Sequence, residues 1–136
     1  MIAVDTSAII AILQYEPEVT TFLRCITEAD VACLSAVSFQ EASLVLAGST
    51  GNAEVWRDLD ALMAVFEMEI VPYTEDLVLL ARDAFLRFGK GRGHPAQLNF
   101  GDCAAYALAK SRNIPLLYKG DDFARTDIVS ATVRPA

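Results

Sequence analysis

The sequence predicts an α/β fold, a three-layer α/β/α sandwich with a central parallel sheet of four to five strands. Short, continuously apolar stretches alternate along the chain with longer stretches whose apolar residues recur every three to four positions. Parallel neighbours in a sheet need a crossover connection, and a helix supplies it. Hydrophobic residues make up 54% of the 136 residues and charged residues 21%, which is typical of elements buried on both faces. The length suits one domain, so we expect a single domain over residues 1–136.

The first half of the chain is expected to contain two strands and four helices. Its strands are the short apolar stretches, and its helices have an apolar face with the helical period. Pro17 suits the first turn of a helix, and Gly48 suits the end of one. In order, the elements are a strand in "MIAVD", a helix in "TSAIIAILQYE", a helix in "EPEVTTFLRCITEA", a strand in "VACLSAVS", and helices in "FQEASLVLAG" and "AEVWRDLDALMAVFE".

The second half continues the alternation. Thr74 is a candidate cap for the first of its two helices and Gly89 a stop, and Asn113 with Pro115 ends the second. In order, the elements are a strand in "MEIVPY", a helix in "TEDLVLLARDAFLRFG", an exposed loop in "KGRGHPAQLNFG", a helix in "DCAAYALAKSRN", a strand in "IPLLY" and a candidate fifth strand, at an edge, in "SATVRP".

The chain is acidic, with 18 Asp and Glu against 11 Lys and Arg and a net charge of −7. Proteins that bind nucleic acid usually present a basic surface, so this balance argues at first sight against such a partner. Carboxylates that gather around divalent cations have their charge neutralised locally, and the overall charge then no longer predicts the ligand. Net charge alone therefore leaves nucleic acid open as a partner.

The cysteines and the apolar runs indicate a compartment. The three cysteines are an odd number, have no CxxC spacing and lie in apolar stretches, which favours reduced core thiols over disulfides or a zinc site at Cys25, Cys33 and Cys103. No apolar run approaches the roughly 20 residues that a bilayer span needs. The start of the chain lacks a basic region followed by a cleavage site. We expect a cytoplasmic protein that does not associate with a membrane.

Acidic side chains follow several of the predicted strands. In an open parallel sheet, ligands bind beyond the carboxyl ends of the strands, where the chain passes from strand to helix. Four segments are expected to bring acids to this edge: Asp5 after "MIAV", Glu41 early in the helix after "VACLSA", Asp102 at the start of its helix, and Asp121 and Asp122 in "KGDDF".

Each of these acids also has a purely structural interpretation. Asp5 suits a helix N-cap, and Asp102 suits a first turn, where its charge interacts favourably with the helix dipole. Glu41 completes the pattern Ser38-x-x-Glu41 of a capping box, and acids such as those of "KGDDF" are common in turns. Crowding favours a functional interpretation, because carboxylates at one crevice repel each other and raise each other's pKa unless a cation lies among them.

The sequence therefore predicts a divalent metal site. Oxygen ligands without paired His or Cys suit Mg²⁺ or Mn²⁺ better than zinc. Such an ion can polarise a phosphoryl oxygen, activate a water as nucleophile and neutralise the leaving oxygen, which indicates phosphodiester hydrolysis. Thr6 and Ser7 are either donors that orient Asp5 or a metal-bound water, or ordinary residues of a helix start.

Three stretches resemble a known family. "IAVDTSAIIAIL", "SAVSFQEASLVL" and "LNFGDCAAYALAKSRNIPLLYKGDDFARTDI" are similar to the PIN-domain ribonucleases, and specifically to the VapC toxins of bacterial type II toxin–antitoxin pairs. The resemblance covers nearly the whole chain and implies a PIN-like fold. It also implies a Mg²⁺-dependent endoribonuclease that cuts structured RNA, often tRNA, with Mn²⁺ as a substitute ion. The implied partners are a second copy of the chain in a homodimer, and a small antitoxin in a heterotetramer or larger complex.

Matched to the family by position, Asp5, Glu41 and Asp102 are the first three catalytic and metal-binding acids. The fourth acid is either Asp121 or Asp122, and the resemblance favours Asp122, which precedes a phenylalanine. Thr126 follows closely enough to be a polar contact in the same loop, or else a turn residue.

The stretch "RFGKGRGHP" carries the cluster of positive charge, with Arg87, Lys90 and Arg92 as candidate RNA-binding residues. They are placed to bind RNA phosphates near the acids, which would answer the objection from net charge. A solvated surface loop is the alternative. His94 in the same stretch is a weak candidate for a general base.

Trp56, Met63 and Phe66 at helical spacing fit a core, but exposed members of this stripe would suit an antitoxin helix or a dimer partner.

Two other functions remain open. A catalytically inactive α/β protein-interaction scaffold would keep the acids as caps alone. A phosphatase with an aspartyl-phosphate intermediate is disfavoured, because the haloacid-dehalogenase type needs a second acid where this chain has Ser7.

Overall fold

A computed structural model of the chain describes residues 1–48 and 51–132. The strands are β1 (Ile2–Val4), β2 (Ala32–Ser35), β3 (Glu69–Val71) and β4 (Leu116–Leu117). The helices are α1 (Thr6–Leu13), α2 (Val19–Glu28), α3 (Ala36–Ala47), α4 (Arg57–Val65), α5 (Glu75–Phe88) and α6 (Phe100–Arg112), with short 3₁₀ turns at Ala53–Trp56 and Phe123–Arg125.

The four strands form one parallel sheet in the order β3-β2-β1-β4. Each connection along the chain between neighbouring strands passes through at least one helix, as a parallel arrangement requires. A fifth strand is reduced, in the residues that the structure describes, to one parallel bridge between Leu116 and Ser130. Residues 133–135 of its predicted range lie outside the described residues.

The sheet is covered on both faces, which confirms the three-layer sandwich. One core lies between the sheet and the helices α5 and α6, and the other contains residues of α1, α2, α3 and α4. Neighbouring residues of a strand belong to opposite cores: Ala3 packs in the first and Val4 in the second, and Leu116 and Leu117 divide in the same way. This burial on both sides explains why the strands are continuously apolar.

Two helix starts differ from the prediction. Strand β2 ends at Ser35, whose hydroxyl accepts a hydrogen bond of 3.1 Å from the backbone N–H of Val37 and caps α3. The predicted capping box of Ser38 and Glu41 is therefore wrong, since Ser38 is buried inside α3. Helix α6 begins at Phe100, before Asp102.

The strand ends place the acids. Strands β1 and β2 pass into their helices within one residue, and the loop after β4 leads into the turn at Phe123–Arg125. Parallel strands have their carboxyl ends at the same edge of the sheet, so these junctions are neighbours.

Among the described residues, no helix has both the length and the apolar character that would let it cross a membrane.

Candidate metal centre

Asp5 lies between β1 and α1 and is only 3% exposed. Its Oδ2 accepts two hydrogen bonds from Ser7, one of 3.0 Å from the backbone N–H and one of 2.6 Å from the hydroxyl. Its Oδ1 is buried and has no hydrogen-bond partner within residues 1–48 and 51–132. Asp5 is thus the N-cap of α1 with one oxygen and leaves the other oxygen available to a ligand.

Ser7 is itself held in place. Its Oγ accepts a hydrogen bond of 3.0 Å from the backbone N–H of Lys119, in the loop after β4. Because its proton goes to Asp5, the hydroxyl links the ends of β1 and β4. Thr6 is not part of this link: its hydroxyl donates to the carbonyl of Ser38, 3.2 Å away, and ties α1 to α3.

Glu41 reaches the same edge from α3, where its carboxylate lies against Gly101 in the first turn of α6. A Cβ at position 101 would be only 2.6 Å from Oε1 of Glu41, closer than non-bonded atoms approach. Only glycine leaves room for this carboxylate. The role of Gly101 was not foreseen from the sequence, although a glycine directly before Asp102 was its one visible signal.

Asp102 lies in the first turn of α6 and takes part in a capping box with Asn99. The backbone N–H of Asn99 donates to Oδ2 of Asp102 at 3.0 Å, and the backbone N–H of Asp102 donates to Oδ1 of Asn99 at 2.9 Å. Asp102 therefore resembles Asp5: one carboxylate oxygen caps the helix, and the other oxygen is left for a ligand.

Electrostatic repulsion couples these carboxylates. Burial is the main cause that raises the pKa of Asp5 to about 7. The hydrogen bonds from Ser7 oppose that shift, and the charges of Asp102 and Glu41 add to it. Burial also raises the pKa of Asp102 to about 6. The hydrogen bond from Asn99 opposes this shift, and the charges of Asp122 and Glu41 add to it. The four acids therefore act on each other, as crowding at one edge predicts.

The loop after β4 contributes Asp122. Gly120 has a φ of +99°, a conformation that favours glycine, and the chain then passes through Asp121 and Asp122, both exposed. The charge of Asp122 acts on Asp102. The next residue, Phe123, is buried against Tyr118 with 5.2 Å between ring centroids, which fixes the loop close to Asp122.

Thr126 supports this loop from within. Its hydroxyl donates to the carbonyl of Phe123 at 2.7 Å and accepts from the backbone N–H of Ile128 at 3.2 Å. Both contacts are local, so Thr126 stabilises the turn that follows Asp122.

The donor set fits a hydrated divalent cation. Within the described part of the chain, no three His, Cys, Asp or Glu side chains form a ready ligand group. Mg²⁺ typically takes one or two carboxylates and completes its shell with waters and phosphate oxygens, so it does not need such a group. The observation that suits a cation is the buried Oδ1 of Asp5, which makes no hydrogen bond to any described residue and feels the charges of Asp102 and Glu41.

The basic stretch is divided between a helix and a loop. Arg87 lies in the last turn of α5, inside the predicted helix, and its guanidinium pairs with Asp127 at 3.5 Å. Lys90 and Arg92 are exposed in the loop itself. His94 is structural here: its Nδ1 accepts from the backbone N–H of Ala96 at 3.0 Å, and its ring packs edge-on against that of Phe88.

The apolar stripe before β3 is only partly buried. The indole N–H of Trp56 donates to the carbonyl of Ser43 at 2.8 Å, and Met63 and Phe66 pack against the second core. Phe66 also lines a groove of about 300 Å³ between α1, α2 and α4. The stripe is therefore partly core and partly surface.

The chain is similar to known proteins in both sequence and fold. The family model of the PIN domain matches residues 2–129. Ribonuclease VapC28 of Mycobacterium tuberculosis is 47% identical over 131 residues, which are 96% of this chain and 98% of that protein. In the structure of Mycobacterium tuberculosis VapC20, a sarcin-ricin loop cleaving toxin, the fold matches with a TM-score of 0.76 at 21% identity, over 99% of this chain and 100% of that one.

A toxin–antitoxin complex from Klebsiella pneumoniae contains a chain with the same fold, at a TM-score of 0.71 and 16% identity over 99% of this chain and 100% of that one. The resemblance inferred from the sequence is thus confirmed by an independent family model and by close relatives. This chain belongs to the PIN-domain family and, within it, to the VapC ribonucleases.

Proposed function

We propose that this protein is a toxin endoribonuclease that hydrolyses RNA phosphodiester bonds with a divalent cation, Mg²⁺ or in its place Mn²⁺. One observation carries the proposal: Oδ1 of Asp5 is buried, has no hydrogen bond within the described residues, and lies in the field of Asp102 and Glu41. A cap needs only one oxygen, so capping alone does not account for this arrangement. Membership of the VapC ribonucleases supports the same activity.

Asp5, Glu41, Asp102 and Asp122 would hold the cation, directly or through its waters. When bound, a divalent cation polarises the phosphoryl oxygen, lowers the pKa of a water that attacks phosphorus, and neutralises the leaving oxygen. The chain's own residues prepare the site. Ser7 fixes the orientation of the Asp5 carboxylate, and the missing side chain at Gly101 lets Glu41 approach.

Protonation of the acids sets a condition on the reaction. The pKa values of about 7 for Asp5 and about 6 for Asp102 mean that, without a cation, both hold protons part of the time near neutral pH. A ligand carboxylate must be deprotonated, so cation binding releases these protons. The site is therefore expected to bind a cation more tightly as the pH rises through this range.

The proposed substrate is a structured RNA with an exposed loop, such as tRNA. Lys90 and Arg92 are exposed in the loop between α5 and α6, and this loop leads through Asn99 to Asp102, which supports the proposal that these two side chains contact RNA phosphates. The related VapC20 cleaves the sarcin-ricin loop, which is consistent with a looped target.

The proposed partners are an antitoxin and a second copy of the chain, in a heterotetramer or larger complex in the cytoplasm. The groove between α1, α2 and α4 is lined by apolar side chains, Leu23, Val65 and Phe66 among them, and fits an amphipathic antitoxin segment. A second apolar cavity of about 760 Å³, bordered by exposed Leu86 and Phe100, suits the dimer partner. The matching toxin–antitoxin complex is consistent with an antitoxin as a partner.

The test is incubation of the purified protein with total tRNA and with a sarcin-ricin loop oligonucleotide, with Mg²⁺ or with EDTA. We expect cleavage with Mg²⁺ alone, and none by Asp5→Asn or Asp102→Asn at unchanged circular dichroism. A wild-type protein that neither cleaves RNA nor binds Mn²⁺ would favour the inactive scaffold. A stable phosphate adduct on Asp5 would favour the phosphatase.

A further inference from the structure

The segment that carries Asp122 is fastened to the rest of the molecule at both ends. At its near end, the backbone N–H of Lys119 donates to Ser7, and the ammonium of Lys119 pairs with Glu16 and Glu18. At its far end lies Asp127, which is in contact with α5 and α6. Asp122 itself is exposed, so its position depends on these fixed ends and on the buried Phe123 beside it.

Asp127 has three partners on its carboxylate. The hydroxyl of Tyr106 donates to Oδ1 at 2.7 Å, and the ammonium of Lys110 and the guanidinium of Arg87 lie 3.0 Å and 3.5 Å from Oδ2. Single ion pairs at a surface contribute little, but several donors that converge on one carboxylate form a network. Tyr106 is only 3% exposed, which makes it the rigid part of this network.

One face of α6 interacts with both Asp122 and Asp127. Asp102, Tyr106 and Lys110 follow each other at intervals of one helical turn, so their side chains lie along one face of α6. Asp102 interacts with Asp122, and one turn later Tyr106 holds Asp127. The loop thereby meets α6 at two places: the charge of Asp122 acts on Asp102, and Asp127 is hydrogen-bonded to Tyr106.

We propose that Asp127 is a positioning residue, which acts through the Tyr106–Arg87–Lys110 network to hold Asp122 beside Asp102 and so to set the affinity of the cation site. This rests on the proposed function only in that the site binds a divalent cation. In this proposal Arg87 supports the cation site, and Lys90 and Arg92 remain the proposed RNA-binding residues.

The test compares Asp127→Asn with Glu69→Gln in the whole protein. Glu69 forms a bidentate pair with Arg112, at 2.8 Å and 3.0 Å, and so also links α6 to another segment, but it does not contact the Asp122 loop. Mn²⁺ affinity is measured by calorimetry, and the free energy of unfolding by urea titration without metal. We expect Asp127→Asn to weaken Mn²⁺ binding by about tenfold, the lower range for loss of a residue that orients a ligand. Glu69→Gln should leave it unchanged.

Two further variants separate positioning from general stability. Tyr106→Phe keeps the buried ring but removes the hydroxyl, and should weaken Mn²⁺ binding in the same direction. If Asp127 acts through Asp122, then Asp127→Asn adds nothing in a chain that already carries Asp122→Asn. Equal Mn²⁺ affinity of the wild type and Asp127→Asn, or full additivity with Asp122→Asn, would overturn the inference. A wild type that does not bind Mn²⁺ would instead overturn the proposed function.

Discussion

Oγ of Ser7 lies 2.6 Å from Oδ2 of Asp5, and this contact determines which oxygen of Asp5 is left without a hydrogen bond among the described residues. Because the same oxygen also accepts the backbone N–H of Ser7, both hydrogen bonds converge on Oδ2. Rotation of the carboxylate about the Cβ–Cγ bond of Asp5 is therefore restricted, and Oδ1 is the oxygen that makes no hydrogen bond to the described residues. The predictions below follow from this arrangement and from its neighbours.

Ser7→Ala should loosen Asp5 without unfolding the protein. The backbone hydrogen bond remains, so the cap survives. The hydroxyl makes two hydrogen bonds, one to Asp5 and one from the backbone N–H of Lys119, and at about 1 kcal/mol for each the expected loss of stability is about 2 kcal/mol. Mn²⁺ affinity should fall by about tenfold, since a group that orients a ligand is lost. Calorimetry and urea titration measure the two effects. Ser111→Ala is a matched control, because its hydroxyl donates to the helix carbonyl of Leu108 near the other end of α6 from Asp102. Equal Mn²⁺ affinities for both variants would argue against the role of Ser7.

Gly101→Ala should displace Glu41. The added Cβ would collide with the Glu41 carboxylate, and the nearest atoms to that Cβ all belong to Glu41. We expect a large loss of RNA cleavage and of Mn²⁺ affinity. The decisive measurement is the stability of Gly101→Ala in a chain that already carries Glu41→Ala. There the clash is gone, and alanine should stabilise α6 by up to about 1 kcal/mol, the difference in helix propensity. Destabilisation in that background would mean that another neighbour occupies the space.

The stability of the metal-free protein should depend on pH through Asp5 and Asp102. Their pKa values in the folded protein, about 7 and about 6, lie above the ordinary value of 3.8. The folded protein thus binds more protons than the unfolded chain between about pH 4 and pH 7, and the free energy of unfolding falls as the pH rises through this range. Urea titrations in EDTA at several pH values measure it.

Asp5→Asn provides the comparison for that pH profile. The amide keeps an oxygen for the cap but has no proton to gain or lose, so its profile should be flatter than that of the wild type. A profile parallel to the wild type would show that Asp5 does not titrate in this range. Cleavage of RNA should be abolished in the same variant.

Addition of Mn²⁺ should raise the stability of the wild type. A ligand that binds only the folded state at one hundred times its Kd contributes about 2.7 kcal/mol. The melting temperature should therefore rise with the Mn²⁺ concentration, and EDTA should reverse the effect. Asp102→Asn should abolish the increase. An increase of the same size in Asp102→Asn would place the cation elsewhere.

Much of the fold followed from local pattern. The short apolar strands and the periodic helices are encoded within each segment, and Asp5 and Asp102 could be located because a strand end and a helix start lie beside them. The start of α3 was missed, since both Ser35 and Ser38 are good caps. The choice between them depends on where pairing with the neighbouring strands ends, which the segment alone does not contain.

Long-range contacts explain the other differences. From the sequence Arg87 is a candidate RNA-binding residue, but its partner Asp127 is distant along the chain and meets it only after α5 and α6 have packed. The space at Gly101 likewise depends on Glu41 of another helix. The identity of the acids was visible in the sequence, whereas the residues that fix their geometry were mostly not.

Strands β1 and β2 join their helices without a loop, whereas α5 and α6 are connected by a long turn that carries Lys90 and Arg92. An insertion at either of the tight junctions would move an acid out of place. The exposed residues of the long turn, Lys90 and Arg92 among them, can be exchanged while the acids stay where they are. In the proposed function, such exchanges would change the contacts with RNA and leave the geometry of the acids unaltered.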